Sequence, residues 1–255
     1  MNQLYREIER LQKSGKKAAL CTIIATKGSV PRKVGAKMLV YENGDISGTI
    51  GGGALEYKVI EEAQEQIRLG RPKIVKHSLV NELDMCCGGS VDLFIEPIQS
   101  QFGLYIFGAG HVGQALARFA NEVDFRVTLI DERLDVWEPH EEISFISGQH
   151  QEVITSLSFN THTAIVILTH DHAYDREILA LCLPKEKAYL GMIGSQRKVE
   201  IARKNLLAAG IASKEQLDEV RMPIGLDIGA QTPEEIAVSI LSELIQCRAE
   251  LRKQE

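Results

Sequence analysis

Hydrophobic positions follow two different patterns along the chain, and the pattern changes near residue 100. Before that point, short apolar runs are separated by glycine-rich loops, which is typical of strands joined in hairpins. After it, apolar runs alternate with segments in which apolar residues recur every three or four positions, which favours a parallel sheet with helices on both faces. We therefore predict an α/β protein: an N-terminal α+β domain over residues 1–98, then a Rossmann-like parallel-sheet domain over residues 102–255.

The first domain is predicted to contain two helices and five strands. In chain order these are a helix around 4–11, strands over 17–26, 35–41 and 45–50, a helix over 55–67, and strands over 73–79 and 90–96. Asn43-Gly44 is a strong signal for the turn of a hairpin between the second and third strands. Residues 97–101 are predicted to be a linker.

The second domain is predicted to alternate strands and helices. Its strands are expected over 104–107, 125–130, 142–147, 163–169 and 188–193, and its helices after residue 113, over 175–183 and 196–209, and from 234 to about 248. In such a sheet, ligands bind beyond the carboxyl ends of the strands. The residues that follow each strand are therefore the candidates for chemistry.

The sequence after the strand 104–107 is the strongest nucleotide-binding signal in the chain. Gly108, Gly110 and Gly113 have the Gly-x-Gly-x-x-Gly spacing that opens a helix after a strand, where backbone amides approach a pyrophosphate. Asp131 follows the next strand, close to the position of a ribose-binding carboxylate. His111 within the motif either contacts a ligand or fills the turn.

Polar residues also follow two later strands. His170, Asp171, His172 and Asp175 follow the strand 163–169 and either bind a metal or cap the next helix. Gly194 and Ser195 follow the strand 188–193. Ser195, with Arg197 and Lys198, either holds a phosphate or caps a helix.

The loops of the first domain carry a second set of candidates. Arg32, in the loop with Gly28 and Ser29, offers a planar set of donors for a phosphate or the edge of a pterin-like ring, unless it is only a solvated surface residue. Gly51-Gly52-Gly53 opens a helix, where exposed amides favour an anion. Glu56 either accepts hydrogen bonds from a ligand ring or caps its own helix.

The five cysteines do not form a disulfide or zinc framework, because their number is odd and no Cys-x-x-Cys spacing occurs. Cys21, Cys182 and Cys247 lie in apolar patterns typical of core thiols. Cys86 and Cys87 differ, since they precede Gly88-Gly89 in a polar loop. A thiolate at Cys87 would coordinate a soft metal or carry sulfur, whereas the alternative is a buried structural thiol.

Composition excludes several classes of function. A formal net charge of −6 argues against nucleic-acid partners, which select a basic surface. The N-terminal segment has neither a signal-peptide nor a transit-peptide pattern, and no apolar run reaches the length of a membrane span. We expect a cytoplasmic protein that has neither a nucleic-acid nor a membrane partner.

Taken together, the motifs resemble one family along nearly the whole chain. They are Thr26–Arg32, Gly35–Met38, Gly48–Glu56, Cys87–Gly89, Gly108–Val112, Leu168–Asp171, Gly191–Ser195 and Pro223–Gly229. In this order they resemble the XdhC/CoxI family of xanthine dehydrogenase accessory proteins.

The resemblance implies a maturation factor for molybdenum hydroxylases. Such a factor binds the molybdenum cofactor (molybdopterin), holds it while a cysteine desulfurase supplies the terminal sulfur, and passes it to apo xanthine dehydrogenase or a related enzyme. The family's cysteine before Gly-Gly corresponds to Cys87, and the adjacent Cys86 leaves open which thiol acts. The resemblance also makes a homodimer the expectation.

Two alternatives remain open from the residues. The first is an NAD(P)-dependent oxidoreductase with its nucleotide at Gly108–Gly113, NAD favoured by Asp131, and His170 as the proton donor. The second is a metal-binding regulatory module using Cys86, Cys87, His170 and His172.

Overall fold

The structure is a computed structural model that describes residues 2–14, 16–79, 88–98 and 101–254. The chain divides into two compact units, and the division in sequence falls between residues 100 and 101. Cys86 and Cys87 lie outside the described residues. No helix among the described residues is both long enough and apolar enough to span a membrane.

The first unit is an antiparallel sheet with a helix on each face. Its elements are α1 (Asn2–Ser14), β1 (Ala18–Lys27), β2 (Lys37–Tyr41), β3 (Ile46–Gly48), α2 (Gly53–Leu69), β4 (Lys73–Ser78) and β5 (Ser90–Ile98). The strand order is β3-β2-β1-β5-β4, and every neighbouring pair is antiparallel.

The two helices cover opposite faces because side chains alternate along a strand. Ala19 and Cys21 of β1 pack in the core beneath α2, whereas Leu20 packs with Leu11 of α1. The predicted hairpin is present: Gly44 has a φ of +88°, and the Tyr41 amide donates to the Asp45 carbonyl at 2.9 Å.

The second unit is an all-parallel sheet between two layers of helices. Its elements are β6 (Phe102–Phe107), α3 (His111–Asn121), β7 (Phe125–Asp131), a 3-10 helix (Leu134–Val136), β8 (Ser144–Ser147), α4 (His150–Ser156), β9 (Thr163–Ile167), α5 (His172–Cys182), β10 (Tyr189–Met192), α6 (Gln196–Ala208), α7 (Lys214–Asp218) and α8 (Pro233–Gln254). Strand order is β10-β9-β6-β7-β8, and every neighbouring pair is parallel.

Strand β6 is the centre of this sheet and is buried along its whole length. Leu104 and Ile106 face the layer of α3 and α8, while Tyr105 and Phe107 face the layer of α4 to α7. From β6 the chain proceeds outward through β7 and β8, then returns to the other side for β9 and β10. The order therefore reverses between β6 and β9, which makes the carboxyl ends of these two strands the topological switch point of a Rossmann-like fold.

The predicted fold class is confirmed, but some element boundaries differ. Helices α4 and α7 were not expected from the pattern, and α8 continues to Gln254 instead of ending near Arg248. The predicted linker is wrong at its first two residues. Pro97 and Ile98 belong to β5, where they pair with Ala19 and Ala18 of β1.

Candidate functional site

In the first unit, the loop after β1 packs directly against the glycines that precede β5. A β-carbon on Gly28 would lie 3.1 Å from the Gly89 α-carbon, and one on Gly89 would meet the carbonyl oxygens of Lys27 and Ser29. Gly28 has a φ of +75°, which favours glycine. The backbones of the two segments therefore approach each other closely, and Gly89 lies two residues after Cys87 in sequence.

The triple-glycine loop approaches the same loop from another direction. A β-carbon on Gly51 would lie 2.6 Å from Cγ of Pro31, whereas nothing lies within 4 Å of the positions that β-carbons on Gly52 and Gly53 would take. Helix α2 begins here, and its N-cap residue, Gly52, has no side chain to cap it. The start of α2 thus combines backbone amides with open space, which suits an anion.

The Glu56 carboxylate holds this loop through hydrogen bonds. Its Oε1 accepts hydrogen bonds from the Thr49 hydroxyl at 2.5 Å, the Gly52 amide at 2.9 Å and the Ile50 amide at 3.1 Å. Burial acts to raise the pKa of the Glu56 carboxyl, but these hydrogen bonds outweigh burial and hold that pKa below its usual value. Of the two predicted roles, the observed contacts are those of a capping residue.

Three further side chains near these loops are exposed. Ser29 and Arg32 lie on the surface of the loop after β1, and the side chain of Tyr57, in the first turn of α2, is 76% exposed. Tyr57 lies four residues after Gly53, one helical turn along α2. We call the set of Gly28–Arg32, Gly51–Gly53, Tyr57 and Gly88–Gly89 the glycine-loop cluster.

In the second unit, the Gly108–Gly113 motif forms the predicted turn between β6 and α3. A β-carbon on Gly108 would collide with the Leu168 carbonyl after β9, and one on Gly113 would collide with the Gly108 carbonyl. Gly110, by contrast, has nothing within 4 Å of its β-carbon position. His111, the first residue of α3, is exposed. The switch-point crevice is therefore open at Gly110, where a pyrophosphate would approach.

Asp131 lies at the end of β7 with only 3% of its surface exposed. Its Oδ2 accepts from the Ala109 amide at 2.8 Å and from Nη2 of Arg133 at 3.0 Å, while its Oδ1 accepts from Nε of Arg133 at 2.9 Å and the Arg133 amide at 3.1 Å. Burial acts to raise the pKa of this carboxyl, but the hydrogen bonds from Arg133 and Ala109 lower it to about 2. Both oxygens of the predicted ribose-binding carboxylate are thus engaged within the protein.

The polar residues after β9 act in part as helix caps. The Asp171 carboxylate accepts from the Ala173 amide at 2.8 Å at the start of α5. Asp175 is buried and accepts from the Thr169 amide and hydroxyl at 3.0 and 2.6 Å. His170 is exposed, and its ring contacts the ring of Tyr174 edge-on at a centroid distance of 5.9 Å.

Gly194 and Ser195 follow β10, as predicted. Ser195 precedes α6 without capping it through its side chain. Arg197 is exposed, and Lys198 lines a cleft of about 160 Å³ together with Asp175, Arg176 and Met192. A larger cleft of about 380 Å³ lies along β10, where the Tyr189 hydroxyl donates to Glu243 at 2.5 Å.

Within the described ranges, no group of three or more His, Cys, Asp or Glu residues could hold a metal ion. Cys21 and Cys182 are fully buried, and burial raises the pKa of each thiol to about 12. Burial also raises the pKa of the Cys247 thiol.

Sequence reasoning missed two residues that shape the crevice. Gln114 donates from Nε2 to the Ala109 carbonyl at 2.9 Å and the Val136 carbonyl at 2.6 Å, which fixes the glycine loop. Arg133 donates hydrogen bonds to both carboxylate oxygens of Asp131. Its only sequence signal was a basic residue two positions after the predicted ribose acid.

Comparison with known proteins agrees with this architecture. The model of the XdhC Rossmann domain matches residues 104–244, and the model of the XdhC and CoxI family matches residues 11–78. A solved structure described as a xanthine dehydrogenase from Bacillus halodurans aligns over 98% of this chain and 96% of its own, with a TM-score of 0.54 and 24% identity. That likeness concerns the fold.

Three curated relatives are similar in sequence. The uncharacterized protein YqeB of Escherichia coli is 32% identical over 96% of this chain and 46% of its own length. A Bacillus subtilis protein described as a probable subunit of xanthine dehydrogenase is 31% identical over 62% of this chain and 47% of its own. The molybdenum cofactor insertion chaperone PaoD of Escherichia coli is 24% identical over 92% of this chain and 85% of its own.

The chain spans about half the length of the first two of these relatives. The Rossmann-domain match alone covers more than half of this chain, and the second match adds part of the first unit. The predicted resemblance is therefore confirmed, and the chain belongs to the XdhC and CoxI family.

Proposed function

We propose that this protein is a maturation factor that binds the molybdenum cofactor and delivers it to a molybdenum hydroxylase of the xanthine dehydrogenase type. Two similar proteins support this proposal, one described as a molybdenum cofactor insertion chaperone and one as a probable component of xanthine dehydrogenase. On this proposal the protein binds the cofactor and transfers it, and another enzyme uses it for catalysis.

The observation that carries the proposal is the backbone contact between Gly28 and Gly89 in the glycine-loop cluster. It joins the loop containing Ser29 and Arg32 to the segment that directly follows Cys87 in sequence. A cofactor bound there would meet a guanidinium and, on our proposal, a thiol within one small site. The contact supports the proposal because it joins two loops that are separate in sequence.

The donor types fit the chemical parts of the cargo. A molybdenum-bearing pterin offers a phosphate, a flat heteroaromatic ring and a soft metal. The open space at Gly52 and Gly53, at the start of α2, suits the phosphate. Arg32 suits the phosphate or the ring edge, and Tyr57 offers an aromatic face to the ring. A thiolate at Cys87 suits the metal or a transferable sulfur.

The proposed partners follow from this role. The cofactor leaves to an apo molybdenum hydroxylase, and a cysteine desulfurase supplies the terminal sulfur while the cofactor is held. We further propose that the protein acts as a homodimer in the cytoplasm, where such client enzymes mature.

The direct test is the fluorescence of oxidised pterin released from protein expressed in a host that makes molybdenum cofactor. We expect stoichiometric pterin in the wild type and its loss in Cys87→Ala, with Cys86→Ala deciding which of the adjacent thiols acts. Cys247→Ala is the matched control, because that cysteine is in the second unit. A folded wild type without pterin contradicts the proposal.

Maturation is tested separately by the activity of a client hydroxylase in a host that lacks its own accessory protein. Co-expression of the wild type should restore client activity, and Cys87→Ala should not. Unchanged client activity with Cys87→Ala removes this thiol from the mechanism.

The second candidate is an NAD(P)-dependent oxidoreductase. The open position at Gly110 in the switch-point crevice favours it, and the exposed His170 after β9 would be its proton donor. Turnover of NADH or NADPH with a carbonyl substrate, lost in His170→Ala, would support this function. The absence of any nucleotide binding would exclude it.

A further inference from the structure

The residue that pairs with Asp131 at the end of β7 is an arginine, Arg133. Asp131 is buried and receives three hydrogen bonds from Arg133 and one from Ala109, so its two oxygens accept four in all. A ribose diol could bind Asp131 only by displacing the guanidinium. It would then replace two hydrogen bonds between opposite charges with two from uncharged hydroxyls to the same carboxylate, which is unfavourable.

The Arg133 side chain keeps donors for a ligand. A guanidinium has five N–H groups, and Arg133 directs one from Nε and one from Nη2 toward Asp131, which leaves three. Its side chain is 42% exposed, compared with 5% for Asp131. Asp135 is another carboxylate that acts on this guanidinium, and together with Asp131 it keeps the pKa of Arg133 above its usual value.

A nucleotide in this crevice would therefore meet a cation where an NAD-binding fold presents an anion. A guanidinium at the end of this strand is the group that accommodates a phosphate on the ribose. The predicted preference for NAD rested on a free Asp131 carboxylate, and the contacts of Arg133 reverse its physical basis.

We propose that the second unit binds a nucleotide whose ribose carries an additional phosphate, and that Arg133 recognises this phosphate. The diphosphate of the ligand lies at Gly110 and the start of α3, where the backbone is open. Asp131 positions Arg133 and does not contact the ligand. This site is separate in sequence and in unit from the glycine-loop cluster, so it does not depend on cofactor handling.

The experiment is calorimetric titration of the full chain at constant ionic strength with NADP⁺ and NAD⁺. Adenosine 2′,5′-bisphosphate, adenosine 3′,5′-bisphosphate and AMP distinguish a 2′-phosphate from a 3′-phosphate and from none. We expect the wild type to bind one ribose-phosphorylated ligand at least about tenfold more tightly than its unphosphorylated counterpart.

Arg133→Ala should abolish that preference and tighten NAD⁺ binding, because the Asp131 carboxylate becomes available to a ribose diol. Arg133→Lys keeps the positive charge but loses the planar set of guanidinium donors, so it should retain a reduced preference for the phosphorylated ligand. It replaces the alanine variant in this test if that variant folds poorly.

The matched control is Arg252→Ala on α8. Arg248, one turn earlier, contacts Val123 and Phe125 at the start of β7. This part of α8 therefore lies at the amino end of β7, whereas Asp131 lies at its carboxyl end.

The proposal would be overturned if the wild type bound no ribose-phosphorylated ligand more tightly than its unphosphorylated counterpart, NAD⁺ or AMP. The absence of binding by all five ligands would also overturn it. An unchanged preference in Arg133→Ala would assign the phosphate to another residue and also overturn it. Pterin content measured on the same Arg133→Ala protein should equal that of the wild type, which keeps this test distinct from that of the cofactor site.

Discussion

The α-carbon of Gly89 lies 3.1 Å from the point that a β-carbon on Gly28 would occupy. Two segments that are far apart in sequence are thus held together where neither has a side chain. In most loop contacts, side chains separate the backbones and can adjust. Here any added atom must move the backbone of a loop that we propose to bind cofactor.

Gly89→Ala should therefore disrupt the glycine-loop cluster. Its methyl group would lie 2.6 Å from the Lys27 carbonyl oxygen and collide with that of Ser29, and we expect a loss of about 2 kcal/mol in the free energy of unfolding. Thermal melting followed by circular dichroism measures the loss, and pterin content should fall with it. Gly110→Ala is the control glycine, since its β-carbon position is open. Wild-type melting and pterin content in Gly89→Ala would refute the predicted collision.

Gly113→Ala and Gly110→Ala should separate folding from binding in the second unit. The Gly113 methyl would collide with the Gly108 carbonyl, and the expected loss of unfolding free energy is about 2 kcal/mol or more. Gly110 has a φ of −70°, so alanine there should change stability by less than about 0.5 kcal/mol but weaken nucleotide binding. The fluorescence of Trp137, the single tryptophan, reports unfolding of this unit. Equal stability of the two variants would contradict the packing argument.

Glu56→Ala should loosen the triple-glycine loop, because it removes the acceptor for Thr49, Ile50 and Gly52. We expect a loss of about 1 kcal/mol in unfolding free energy at neutral pH. The folded-state pKa of Glu56 lies below its usual value, so this contribution is present above the unfolded pKa and is lost as the pH falls through the folded value. Melting curves of wild type and variant should therefore converge in acid. Glu56→Gln, which keeps one acceptor oxygen, should lose less unfolding free energy than Glu56→Ala. If wild type and Glu56→Ala differed by the same amount at every pH, the ionised carboxylate would not be the source of the stabilisation.

Asp131→Asn should remove a pH-dependent part of the stability of the second unit. With a folded pKa of about 2 and an unfolded pKa of about 3.9, the carboxylate contributes about 2 kcal/mol above pH 4, and this is lost as the pH falls toward 2. Denaturant unfolding followed by Trp137 fluorescence should show wild type and variant differing at neutral pH and converging in acid. If the two unfolding free energies still differed in acid, the substitution would destabilise the protein through packing and not through loss of the ion pair with Arg133.

The sequence predicted the parallel sheet because β6 and β9 are buried on both faces and therefore appear as almost continuous apolar runs. It also predicted where glycines are needed, since Gly113 must approach the strand whatever the surroundings. The helices α4 and α7 have only seven and five residues. That is too short for a helical period to stand out from neighbouring loops.

The missed contacts depend on tertiary structure. Spacing identified Asp131 but not its partner, because a pattern of strands and glycines does not specify which nearby charge pairs with a carboxylate. Likewise, Gly28 and Gly89 are distant in sequence, and the local sequence around either glycine does not predict that it contacts the other. Residue types therefore indicated both sites, while their chemistry followed from side-chain and backbone geometry.

Burial of Cys21 and Cys182 has a consequence for sulfur exchange. A thiol with a pKa near 12 is ionised in only about one molecule in 10⁵ at neutral pH, and the thiolate is the form that attacks a persulfide or disulfide. These two thiols should therefore react very slowly with a sulfur donor. The pKa of the Cys247 thiol is also raised, so it should be less reactive than an ordinary thiol. Any persulfide that the protein carries during sulfuration belongs, on our proposal, to Cys86 or Cys87, and mass spectrometry of the persulfidated chain would locate it.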